Sequence, residues 1–406
     1  MMIATTAGGV FMYAVHMVAR RMPKEEYGLF TTLLQAVSLM CLPAVGLQGI
    51  FAQQSAGATT VRHERELAGV FRGVLRATFF IWLLMAVAAI VFRDQIMTKL
   101  QIANPAALWV AVAIGLANMW RPLVQGVLQG RQNFFWLGNV TIVDGIGRFL
   151  GVLLIVGLLG HFAAGAMTSV LIGSGVVLLV GGWFCRDCMQ GEVHPMLWGG
   201  WLGRVVPLTF GLGVGTFMLA ADMIFVQRFF PAEQTGFYAA AGMIGRALVY
   251  FTMPVAAVMF PKLARSQATG EKSNALLLAL GITALAGAGA ALICTLFPSL
   301  PLRVIYDRSF WEISTPLVPW FAWCMLPLTL STVLINSLMA QSRFVAVPWL
   351  VLVAVGYGVA LYLRHETFTQ VIQTLGIFST LLLIVCAWFT WGIKSQIPNP
   401  TDSKAS

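Results

Sequence analysis

Apolar stretches of about 20 residues recur along the whole chain, and that recurrence leaves few folds open. Hydrophobic residues make up 59% of the sequence and charged residues 10%, far from the balance of a soluble domain. Each stretch can cross a hydrocarbon core of about 30 Å as a helix, which satisfies its own backbone in lipid. Twelve are predicted: 3–18, 29–52, 74–92, 106–128, 137–159, 163–184, 205–226, 237–260, 275–297, 317–339, 345–363 and 371–391. The chain is therefore expected to be an all-α polytopic membrane protein. The first stretch begins at the initiator Met, and no small-residue cleavage site follows it, so it is read as a retained span.

A motif occurs twice. Arg20, Pro23, Glu25, Gly28 and Phe30 return 208 residues later as Arg228, Pro231, Glu233, Gly236 and Tyr238. A weaker echo at an offset of 210 aligns Leu128 and Phe134 in LQGRQNF with Leu338 and Phe344 in LMAQSRF. Two matches at nearly one spacing imply two related halves of about 200 residues, and such repeats flank substrate paths near the bilayer midplane.

Twelve spans put both termini on one side. The termini and the loops on their side hold thirteen Lys and Arg, against nine in the opposite loops, which favours cytoplasmic termini. The net charge of +10 fits contact with anionic membrane lipids and calls for no nucleic acid. Cys185 and Cys188 form a lone C-x-x-C without a second pair or nearby histidines, a poor zinc site. No metal or cofactor is expected. Loops are too short for an extramembrane domain, and the polar tail 397–406 is read as disordered.

Five charged residues fall inside the stretches, clear of their ends: Arg121, Asp144, Arg148, Asp222 and Arg246. A charge near the bilayer centre costs at least about 2.5 kcal/mol, so such residues face a protein interior or a wet cavity. Asn118, Arg121, Gln125 and Gln129 share one helical face. Asp144 precedes Arg148 by four residues, in the orientation favourable to an ion pair. These read as a cavity wall, or as helix-to-helix glue with the pair neutralising itself. Arg246 has no carboxylate three or four residues away, so its partner must be another helix, water or an anion, and cavity lining is favoured. Asp222 is open to snorkelling or to a pair with Arg228. At the repeat offsets Arg121 corresponds to Ser331 and Arg246 to Ser38, which makes any path electrostatically asymmetric. Gly211, Gly213 and Gly215 sit in an apolar stretch with no strand before them, and read as helix packing rather than a nucleotide loop. Pro43, Pro122, Pro207, Pro254 and Pro327 are candidate kinks. Tyr27, Trp109, Trp136, Trp198 and Trp201 read as interfacial anchors.

On RRMPKEEYGLF, GVLQGRQNF, and the run DMIFVQRFFPAEQTGFYAAAGMIGRAL followed by VMFPKLARSQ, the chain resembles the oligosaccharide and polysaccharide flippases. Their superfamily also contains multidrug and toxin extruders and lipid II flippases. The resemblance implies two six-helix bundles, here 1–190 and 200–396, related by a pseudo-twofold axis along the membrane normal. It further implies a role in lipopolysaccharide or other cell-envelope glycan synthesis at the bacterial inner membrane. There, lipid-linked glycan of the polyprenyl pyrophosphate type would be turned from the cytoplasmic to the periplasmic leaflet, with glycan polymerase or export components as partners. A cationic cavity suits a lipid pyrophosphate. Arg246 and Arg148 are the expected head-group contacts, Arg121 the third, with Asp144, Asp222, Asn118 and Gln125 beside them. The chain departs from the family in starting almost directly in its first span, so a cytoplasmic N-terminus is expected upstream or lost. A drug or cation antiporter of the same fold is the alternative, weakened by the lack of Asp or Glu in the first stretch. A glycan polymerase or ligase would need acid/base or metal residues gathered in a large loop, so no enzyme is expected.

Overall fold

The computed structural model describes residues 2–58, 60–158, 160, 162–190, 198–249 and 275–392. Its long helices in the first half are α1 (Met2–Ala19), α2 (Lys24–Met40), α3 (Leu47–Gly57), α4 (Val61–Val91), α5 (Pro105–Gly130), α6 (Phe134–Ile155) and α7 (Ala163–Phe184). In the second half they are α8 (Trp198–Phe229), α9 (232–249), α10 (Ala275–Leu296), α11 (Leu317–Ala340), α12 (Val347–Leu363) and α13 (Phe368–Ala387). Among the described residues nine helices are long and apolar enough to cross a membrane, and α2 with Leu42–Gly57 makes a tenth, bent by 48°. Each predicted stretch falls on helix, the fifth as far as Ile155 and the eighth as far as Val249. Pro254, the VMFPKLARSQ run and the tail from residue 393 lie outside the described residues.

Two boundaries differ from the sequence reading. The second stretch is two helices joined by a 3-10 turn at Leu42–Ala44, because Pro43 has no N–H to return to Leu39. Pro122, Pro207 and Pro327 stay inside α5, α8 and α11. Helix α4 starts at Val61 rather than Val74: the Thr60 hydroxyl accepts from the His63 N–H at 3.3 Å, and Arg62 pairs with Glu66 one turn on. The charge-rich segment thus extends the helix past its apolar part.

Packing separates two six-helix bundles, taking the bent α2–α3 pair as one rod. In the first, α6 packs on α1 and α7, and α5 on α2, α3, α4 and α7. In the second, α11 packs on α10 and α13, and α8 on α11, α12 and α13. Between the bundles α2 crosses α8. Gly213 on α8 faces Leu42 and Gly46 faces Thr209.

The weaker echo folds into one turn used twice. Gln132 (φ 57°) and Ser342 (φ 54°) both adopt the left-handed conformation. The next amide donates back to the helix each time, Asn133 to the Leu128 carbonyl and Arg343 to the Leu338 carbonyl, both at 2.9 Å. That is a Schellman stop, which satisfies carbonyls left open at a helix end. Each half then lays an arginine from this turn over the end of its own last helix. Arg131 donates to Phe184 O at 3.4 Å, and Arg343 to Phe389 O and Thr390 O at 3.0 and 3.1 Å.

Candidate functional site

The intramembrane charges gather into two clusters, one per bundle. In the first, Asp144 on α6 is wholly buried and takes two guanidinium groups. Arg148 Nε donates to its Oδ1 at 2.7 Å, and Arg121 Nη1 on α5 lies 2.7 Å from its Oδ2. The second contact is an ion pair between two helices. Arg148 Nη2 also donates to Ser174 Oγ at 3.3 Å, and that hydroxyl donates to Asn118 Oδ1 at 3.2 Å. Gly173 on α7 makes the cluster possible: a Cβ there would stand 2.8 Å from Arg148 Cγ and 2.9 Å from Asp144 Oδ1. Asn118, Arg121 and Gln125 remain half-buried along one face of α5, and Gln129 accepts from Gln48 Nε2 at 3.1 Å. With two arginines to one aspartate, the cluster carries a surplus positive charge.

In the second cluster Arg246 meets Asp222 of α8. Its Nη2 lies 2.7 Å from both carboxylate oxygens, its Nε donates to Leu219 O at 2.9 Å, and the Tyr238 hydroxyl donates to Asp222 at 2.8 Å. Both charged side chains are buried, 2% and 0% exposed. Of the partners left open, another helix, water or an anion, Arg246 takes another helix through Asp222, and in this conformation it faces the interior of its own bundle. The suggested Asp222–Arg228 pair does not form; the Arg228 guanidinium lies over the Phe229 ring instead. The equivalents Ser38 and Ser331 donate to carbonyls of their own helices, so neither half repeats the other's charges.

The two copies of the main echo meet at one end of the molecule. A Cβ on Gly28 would stand 2.9 Å from the Gly236 nitrogen, and one on Gly236 would collide with the Lys24 carbonyl. Around them each bundle's loop holds the other bundle's helix end. From the first half, Gln101, left-handed at φ 52°, donates to Gln227 O and Phe230 O at 3.0 and 2.9 Å, while Gln227 Nε2 donates to Leu100 O at 3.0 Å. From the second, Ile305 O accepts from Arg20 Nη1 at 3.2 Å, and Asp307 stands 3.8 Å from Arg20 Nε. Lys24 pairs with Glu233 at 3.4 Å, and Thr32 donates to Gln227 Oε1 at 3.2 Å. Tyr27 is no interfacial anchor: it is buried, with its hydroxyl 3.0 Å from His16 Nδ1 and 2.6 Å from the Tyr306 hydroxyl. Gln101, Gln227 and Tyr306 escaped the sequence reading. Gln227 gave the one available signal, an uncharged polar residue at the end of an apolar run.

On the flank between the Leu42–Ala44 turn, α3, α4, α8 and α12 lies an almost wholly apolar crevice of about 710 Å³. Gly211 packs against Met339, so the G-x-G-x-G run serves helix contact. The C-x-x-C thiols are buried: burial pushes Cys185 up to about 12 and Cys188 up to about 11. The Arg131 guanidinium stands beside Cys188 and binds Asp187, a cation where a metal site would need room for one.

No protein-family model and no curated protein sequence matches the chain. Solved structures do. A multidrug resistance MATE family transporter of the MOP superfamily, in its inward-facing conformation, superposes with a TM-score of 0.73 at 12% identity, covering 95% of this chain and 93% of that one. The lipid II flippase MurJ in an inward closed conformation gives 0.73 at 12% identity, covering 96% and 87%. A MOP superfamily transporter from Pyrococcus furiosus, for which a reversed polarity of the binding pocket suggests a different function, gives 0.65 at 14% identity, covering 96% and 91%. The chain carries the two-bundle fold of the MOP superfamily transporters.

Proposed function

We propose that the protein is a flippase that moves lipid-linked oligosaccharide or polysaccharide precursors from the cytoplasmic to the periplasmic leaflet of a bacterial inner membrane. Residues 1–190 and 200–396 are the two bodies of an alternating-access cycle, the termini are cytoplasmic, and the echo end is periplasmic. The fold serves drug extruders and a lipid II flippase alike, so the charge balance carries the choice. Both intramembrane carboxylates among the described residues, Asp144 and Asp222, already hold arginines. A cation extruder needs a carboxylate free to bind its cargo or its coupling ion. The surplus guanidinium of the first cluster instead suits a pyrophosphate crossing a medium hostile to charge. Arg121, Arg148, Asn118, Gln125 and Asp144 form the head-group side of the path. Arg246 and Asp222 join it only in a state that opens their pair. The apolar crevice is the place for carrier hydrocarbon.

Inactivating the gene tests this reading. Surface glycan should fall while its lipid-linked precursor accumulates; unchanged glycan with new sensitivity to cationic drugs would establish the antiporter instead.

A further inference from the structure

The three intramembrane arginines are not equally committed. Arg246 spends Nε on a carbonyl and Nη2 on both oxygens of Asp222. Arg148 spends Nε on Asp144 and Nη2 on Ser174. Arg121 makes a single ionic contact, through Nη1, to a carboxylate that Arg148 already neutralises. It is also the most open, its side chain 19% exposed against 9% for Arg148 and 2% for Arg246. A guanidinium has five N–H donors in a fixed fork that matches phosphate oxygens. One turn to either side on the same face of α5 stand Asn118 and Gln125, both half-buried. Ser174 occupies Asn118 Oδ1 and leaves that amide's donors unspent.

We propose that Arg121 is an exchangeable phosphate contact and the residue that selects an anionic lipid head group. This rests on the flippase reading. In the structure Arg121 leans on Asp144. An arriving pyrophosphate takes the fork, flanked by the Asn118 and Gln125 amides, while Arg148 keeps Asp144 neutralised and buried. Exchange of one anion for another spares the site from ever burying an unpaired guanidinium, which would be costly. Arg246, sealed on both carboxylate oxygens, is not the selector in this conformation.

The test is binding to the full chain in lipid nanodiscs, with farnesyl pyrophosphate, inorganic pyrophosphate and farnesol as probes. The wild-type protein should bind farnesyl pyrophosphate more tightly than either of the others. Arg121→Gln should weaken that binding by about tenfold or more, as loss of charge-assisted bonds does, and leave weak farnesol binding unchanged. Arg121→Lys, which keeps the charge and loses the fork, should fall between; it decides the matter should the Gln variant not fold, and wild-type affinity in it overturns the assignment. Equal affinity in wild type and Arg121→Gln also removes Arg121 from the site and leaves the flippase reading standing. Inorganic pyrophosphate bound as tightly as the farnesyl form would show a site for free anions rather than lipid. Wild-type protein that ignores farnesyl pyrophosphate would sink the flippase reading itself.

Discussion

Gly28 and Gly236, one position in two copies of the same motif, stand against each other where the two bundles touch. The duplicated segment therefore lies in the seam, and glycine is needed because backbone meets backbone: a Cβ at Gly28 would lie 2.9 Å from the Gly236 nitrogen. Overpacking of this kind costs about 1–3 kcal/mol. Gly28→Val should force the seam apart and raise the reactivity of a thiol placed at Thr235, read as labelling by an impermeant maleimide, while the distant Arg131–Asp187 contact stays intact. Labelling equal to that of the parent would mean that the seam tolerates the methyl groups and does not gate access.

In the proposed alternating-access cycle the clasps around that seam release as the path opens at the echo end. With the six native cysteines replaced, Lys24→Cys with Glu233→Cys, two positions whose side chains now pair at 3.4 Å, should form a cross-link that stops transport. Reduction should restore it. Full transport by the cross-linked protein would show that this end never parts.

The Asp222–Arg246 pair should behave as structure first. Arg246→Ala leaves a buried carboxylate without its counter-ion, a loss of about 3–5 kcal/mol, so membrane abundance should drop. Adding Asp222→Asn should recover abundance. Recovery of abundance without transport would then assign the pair a part in the cycle, whereas recovery of both would confine it to holding α8 against α9.

Much of this was legible in the sequence, for physical reasons. Span length and low charge follow from the bilayer, so the helices fell where the apolar stretches lay. The 208-residue echo announced two halves, and the Asp144–Arg148 spacing announced its ion pair. What was not legible was distance in space. Arg121 and Asp144 lie on different helices, as do Arg246 and Asp222, and one-dimensional spacing says nothing of such pairs. Tyr27 looked like an anchor because an aromatic ring at a span end usually is one; its hydroxyl instead found Tyr306, nearly 280 residues on. The α4 extension was missed because hydropathy marks the membrane and not the helix.

The C-x-x-C thiols should be inert at neutral pH. Burial raises Cys188 to about 11 and Cys185 to about 12, so both stay protonated in the folded protein until the pH rises far above 9, and the thiolate is the nucleophile. Maleimide labelling at pH 7.5 should be slow in the native protein and fast after denaturation, since unfolding returns both thiols to the ordinary range near 8.5. Fast native labelling at pH 7.5 would show that this end of α7 is open to solvent.

The most direct test of the central claim is flipping itself, measured with the purified protein in liposomes. A polyprenyl pyrophosphate-linked oligosaccharide is placed in one leaflet, and its arrival in the other is followed with a membrane-impermeant glycosidase. Protein-dependent arrival is expected in the parent protein, with arrest in the cross-linked Lys24→Cys/Glu233→Cys form and marked slowing in Arg121→Gln. No protein-dependent arrival, in liposomes where the same preparation moves a cationic dye, would contradict it.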